Sequence, residues 1–191
     1  MIDYIHKTTW GNRFILTAII QGGIMTSLAL SMVGSQFIFA NNFDMIQFLS
    51  LSFEGPAKWF FLGIIFYLIF IVAIAVTAIF YIHLEVNLRR QISGVLNVLA
   101  WIHLIGMNIG GPLTTLLMIF AGLSGSGVLS VFTEGKIGPQ NVDILNALTT
   151  PIAFSIGILS IGVICGGLAY TLTYIKGKNV NISDGTELKQ N

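Results

Sequence analysis

With 191 residues, 54% of them hydrophobic and 9% charged, this chain lacks the charge to wet a soluble globule, which normally carries about 25%. A formal net charge of +1, with no basic cluster interleaved with aromatics, leaves no electrostatic case for a nucleic-acid partner. The single cysteine, Cys165, rules out an internal disulfide and argues against a thiolate metal site; it reads as a small packing residue.

Residues 1–13 are polar and lead into an apolar run too long for a signal-peptide core, so that run reads as a membrane span. About 20 apolar residues in a helix cross a bilayer. The stretches 14–36, 59–82, 94–120 and 151–175 qualify. The expected fold is all-α: a polytopic four-transmembrane-helix bundle over 1–178, followed by a polar, mobile tail over 179–191. No acidic or basic side chain lies inside a span, as hydrocarbon demands, since a central charge costs at least about 2.5 kcal/mol.

If the spans alternate, Lys7, Arg13, Arg89, Arg90, Lys176, Lys178 and Lys189 share one side, and only Lys58 and Lys136 fall on the other. That asymmetry predicts both termini to be cytoplasmic, in a multi-pass protein of the plasma membrane. The outer connections, 41–58 and 124–146, carry apolar residues (Phe43, Ile46, Phe48, Leu49; Val128, Leu129, Val131, Phe132) and are expected to lie on the membrane or on a partner. Asn181-Ile182-Ser183 matches a glycosylation acceptor, but on the predicted cytoplasmic side.

The second span is apolar all round, which suits lipid or featureless packing. The first carries Gly22, Gly23, Thr26 and Ser27, and the fourth spaces Ala153 with Gly157, and Gly162 with Gly166, four apart. Small residues at that spacing let helix backbones approach closely. Whether those contacts are internal or made to another subunit is left open by the pattern.

Candidates for chemistry are few. His103 lies about 14 Å along the third span and His83 at the inner end of the second. As haem ligands they would have to face one iron at one depth, and they differ by a turn or two. Met107 shares a face with His103, and ligands four apart on one helix cannot lie trans across a macrocycle. The simpler reading of His103 is a histidine hydrogen-bonded between helices. Gln21, Asn97, Trp101, Asn108 and Thr115 read as helix-to-helix glue, with a polar path as the alternative. Gly110-Gly111-Pro112 is expected to break or kink the third span. No self-sufficient catalytic set is evident.

The segment Ile102-His103-Leu104-Ile105-Gly106-Met107-Asn108-Ile109-Gly110, followed by Ala121-Gly122-Leu123-Ser124-Gly125, resembles the penultimate helix of subunit I of haem–copper oxidases, with its I-H-F-x-x-M-F-x-G pattern and terminal G-L-S-G. Thr8-Thr9 with Arg13 is similar to the T-T-D-H-K-R opening of that family's first helix, without its Asp, His and Lys. The family's haem and copper ligands, an H-x-H pair and an H-P-E-V-Y segment among them, have no counterpart here, and the position matched by His103 is not one of them. The resemblance implies a catalytically silent relative or a companion subunit of a terminal oxidase. Membrane lipid and other integral subunits are then the partners, with haem in those partners and no cofactor in this chain. Two other functions fit the residues: a self-associating transporter or channel for a neutral solute, and a b-type haem carrier using His103 and His83.

Overall fold

The computed structural model describes residues 9–39, 44, 47–49 and 55–179. Its long helices are α1 (Trp10–Phe39), α2 (Ala57–Ile82), α3 (Val95–Gly125) and α5 (Asp143–Lys176); a short α4 (Val131–Glu134) lies in the second outer connection. Among the described residues four helices are long and apolar enough to cross a membrane, so the chain is a multi-pass, all-α membrane protein. At one end α2 continues through a π-helical turn, His83–Asn87. There Arg90–Gln91 (β1) pairs antiparallel with Lys178–Asn179 (β2).

α3 is the centre of the bundle. In its most apolar stretch 61% is buried, against 28% in α2 and α5 and 17% in α1. α5 and α2 each pack along α3, and α1 packs mainly on α2. The reason lies in the side chains of α3, which are small where neighbours cross. A Cβ on Gly106 would stand 2.7 Å from the Cα of Gly162, so α3 and α5 touch backbone to backbone. In lipid, where apolar burial gives no drive, such close packing is what holds helices together.

The expected break at Gly110-Gly111-Pro112 does not occur: α3 is helical throughout, with Pro112 inside it. Thr114 donates to the Gly110 carbonyl at 2.7 Å, and Thr115 to the Gly111 and Pro112 carbonyls at 3.1 Å. α5 begins at Asp143, eight residues before the predicted 151, and carries Pro151 inside it. An acidic first turn, favoured by the helix dipole, starts the helix in what read as loop.

The outer connections pack on the chain itself. Leu49, Ala57 and Val128 form a small cluster with Met32, Phe48, Phe60 and Leu123, and Val131 is 2% exposed. The expectation that these apolar residues cover a membrane or partner fails for Leu49, Val128 and Val131. Phe43 and Ile46 lie outside the described residues, as do Asn181-Ile182-Ser183 and most of the predicted tail. The tail's first residue, Asn179, is in β2, and Arg90 Nη1 donates to the Gly177 carbonyl beside it.

Candidate functional site

Where α1 and α3 begin and α2 and α5 finish, aromatic rings from three helices converge. Trp10 is buried; its ring meets Trp101 edge-on at 5.4 Å and Tyr81 at 6.1 Å. The Arg13 guanidinium lies over both indoles, 4.5 and 4.6 Å from Trp10 and Trp101. A cation over an aromatic face gains about 0.5–2 kcal/mol, more as water is removed. Glu85 accepts hydrogen bonds from the Trp10 N–H at 3.0 and 3.2 Å and from the Gly11 N–H at 3.2 Å. The first N–H groups of a helix lack intrahelical partners and carry its positive dipole end, so a carboxylate answers both needs.

One turn deeper, Phe14 stacks on Tyr81 with centroids 5.0 Å apart and an interplanar angle of 11°, and touches the His103 ring at 5.0 Å. His103 is 7% exposed, and the Tyr81 hydroxyl lies 3.1 Å from its Nδ1. Tyr81 is buried, and Nδ1 is the ring nitrogen its hydroxyl meets. A buried hydroxyl proton needs an acceptor, so this network assigns the donor role to Tyr81 and the imidazole proton to Nε2. Among the described residues nothing hydrogen-bonds to Nε2. Gly166 makes room for the ring: a Cβ there would overlap the imidazole.

His103 forms the floor of a cleft of about 290 Å³ between α2 and α5, walled by Thr77, Phe80 and Tyr81 on one side and by Gly166, Tyr170 and Thr171 on the other. A second, apolar cleft of about 380 Å³ follows in the outward direction, over Met107, Gly111, Thr114 and Met118. Val163 lines both, so they form one furrow. Its floor is a single stripe of α3, because positions 103, 107, 111, 114 and 118 repeat at three and four residues. α2 and α5 flank the stripe, and the rings of Phe80 and Tyr170 approach to 5.6 Å across it.

No family model, curated protein or solved structure matches this chain. The site is read from its geometry.

The other polar residues of the spans are tied up between helices. Tyr67 donates to Gln21 Oε1 at 2.7 Å, Gln21 Nε2 to Asn108 Oδ1 at 3.4 Å, and Asn108 Nδ2 to the Leu104 carbonyl at 2.8 Å. This chain of bonds links α1, α2 and α3. Thr114 bonds Ser155 at 2.9 Å, joining α3 to α5. Both sets are interhelical hydrogen bonds of the kind worth about 0.6 kcal/mol each on average.

His83 and His103 do not face each other. Tyr81 holds His103, and His83, two residues on, points roughly 200° further around the helix, where Asn87 donates to it at 3.0 Å. Met107 is buried in the outer cleft on the same helix as His103. The lining around His103 holds no second imidazole, thioether or thiolate. Trp101 belongs to the inner aromatic cluster, Thr115 is buried, and Asn97 is half-buried near the start of α3. Gly162 and Gly166 do pack against α3, at Gly106 and His103. Gly157 faces away, with open space where its Cβ would be. Among the described residues no three His, Cys, Asp or Glu side chains gather as a metal site.

Sequence reasoning missed Tyr67, Tyr81 and Glu85. The two tyrosines lie fourteen apart with Ile74 midway, all three at most 1% exposed. That spacing is a heptad seam within a span that reads as uniformly apolar. Glu85 left no sequence signal, since its partner Trp10 is 75 residues away.

Proposed function

We propose that this chain is a non-catalytic integral membrane subunit of a larger assembly, a respiratory terminal oxidase or another electron-transfer complex. The observation that carries the reading is the outer half of α1. Gly22, Gly23 and Gly34 have nothing within 4 Å of where a Cβ would stand. Thr26, Ser27 and Ser31 are exposed, their hydroxyls returned to carbonyls of their own helix at 2.8–2.9 Å. Small residues there give lipid chains little to pack on, whereas a second helix could approach closely. α5 uses its small residues on α3; α1 leaves these for a neighbour.

The electron-transfer part rests on the resemblance of 102–125 to the oxidase helix. The orientation rests on Arg13, Arg89, Arg90 and Lys176, which share the end of the bundle closed by β1 and β2, while Lys58 and Lys136 lie at the other. We assign the first end to the cytoplasm and the chain to the plasma membrane.

Photocrosslinkers at Ser31 and at Val72 of α2, 60% exposed on a fully aliphatic surface, test the proposal in native membranes. Ser31 should yield one discrete adduct with another membrane subunit, and Val72 should label lipid. Gentle solubilisation should co-purify that subunit along with a haem spectrum. A lone, monodisperse chain with no adduct from Ser31 refutes the subunit role; a partner without redox cofactors refutes only the electron-transfer assignment.

A further inference from the structure

The Arg13 guanidinium is held in place without being neutralised. The indoles of Trp10 and Trp101 meet at 79°, and the cation lies over both, so two ring faces restrain it. Among the described residues no carboxylate or carbonyl pairs with its N–H groups. Glu85 is the one described carboxylate at this end of the bundle, and its oxygens are taken by the Trp10 and Gly11 amides. Arg89 and Lys176, both exposed at the same end, add positive charge. A half-buried guanidinium therefore keeps its five donors for a partner from outside the chain.

Its position and surroundings define that partner. Arg13 stands in the first turn of α1, about 4.5 Å past its start. Arginine beside tryptophan at the end of a span marks the headgroup level. Deeper along the same helix the surface turns aliphatic: Leu16 and Ile20, three and seven residues on, are exposed. On α3, Ile105, four residues past Trp101, is exposed as well. A fixed cation above bare aliphatic flanks is the complement of a phosphodiester above acyl chains. Arginine's planar fork meets two phosphate oxygens at once, with charge on both partners. The excess of positive charge at this end favours a lipid of net negative charge. We propose that Arg13, propped by Trp10 and Trp101, binds one anionic phospholipid, its phosphate on the guanidinium and its chains along Leu16, Ile20 and Ile105. The proposal concerns this chain alone; it depends neither on the subunit role nor on which side of the membrane that end faces.

Arg13, Arg89 and Arg90 are the arginines of the sequence, so isotope-labelled arginine gives each a side-chain Nε–H signal in nuclear magnetic resonance. The labelled full chain in dodecyl maltoside is titrated with dioleoylphosphatidylglycerol, and native mass spectrometry counts the lipid retained. One lipid should be retained, and the Arg13 signal should move to saturation while those of Arg89 and Arg90 drift weakly. Arg13→Gln should weaken binding by at least about tenfold, through loss of a charged hydrogen bond. Arg13→Lys keeps the charge without the planar fork, and Trp101→Leu keeps it without one prop; each should weaken binding about threefold or more. Arg89→Gln removes the same charge from exposed surface and should change affinity by less than about twofold. Absence of retained lipid, the three arginine signals moving together, or equal losses in Arg13→Gln and Arg89→Gln overturns the site. Equally tight binding of dioleoylphosphatidylcholine overturns the preference for a net-negative lipid. Inorganic phosphate shifting the Arg13 signal as strongly overturns the assignment to lipid.

Discussion

Gly106→Ala and Gly157→Ala are the same change in neighbouring spans, and the structure gives them opposite signs. In a helix interior alanine is favoured over glycine by about 1 kcal/mol. At Gly157 nothing stands within 4 Å of the new methyl, so that gain is realised. At Gly106 the new Cβ would lie 2.7 Å from Gly162 Cα, 3.1 Å from Gly162 N and 3.1 Å from the Ile158 carbonyl. Carbon atoms settle at about 3.5–4.0 Å. The obstruction is backbone on both helices, so no rotamer relieves it and α3 and α5 must part by roughly 1 Å. Overpacking of this kind costs about 1–3 kcal/mol. SDS titration of the full chain in mixed micelles, read by far-ultraviolet circular dichroism, should therefore shift to lower SDS for Gly106→Ala and slightly higher for Gly157→Ala. Equal midpoints for the two variants would refute the backbone-to-backbone crossing.

Other outcomes follow from the contacts described. Glu85→Gln keeps an acceptor at the α1 N-terminus but removes its charge, and should lower stability by about 0.3–1 kcal/mol in the same titration. Glu85→Ala leaves the Trp10 and Gly11 N–H groups without it and should cost more, about 1–3 kcal/mol. Tyr67→Phe cuts the link from α2 to Gln21 and should cost about 0.6 kcal/mol, with a ceiling near 1.7. Gly166→Ala drives a methyl into the His103 ring and should cost about 1–3 kcal/mol. The Tyr81 hydroxyl stretch, lowered by its bond to Nδ1, should move toward its free value in that variant.

The number of spans and their apolar cores were legible because lipid imposes a length and forbids charge, and both constraints act on contiguous sequence. Boundaries were less so. α1 starts at Trp10 because Glu85 caps it, and α5 starts at Asp143 in a segment polar enough to read as loop. The break expected at Gly110-Gly111-Pro112 is absent, since the helix runs unbroken through Pro112. Of the candidate residues, His103, Met107 and Gly166 lie along one furrow, and His83 lies elsewhere. No periodicity could place Tyr81 against His103, since helix azimuth is set by crossings such as Gly106 on Gly162. The glycine spacing on α1 and α5 looks alike in sequence; only the packing shows that one set is used and the other is open.

Glu85 has a consequence for how the protein is made. The carboxylate that completes the first turn of α1 is encoded 75 residues downstream of Trp10. At about 5–20 residues per second, a ribosome reaches it roughly 4–15 s after the first helix has begun to emerge. Until then the Trp10 and Gly11 amides lack the carboxylate they meet in the finished fold, so the first turn of α1 is completed only once α2 has joined it as a hairpin.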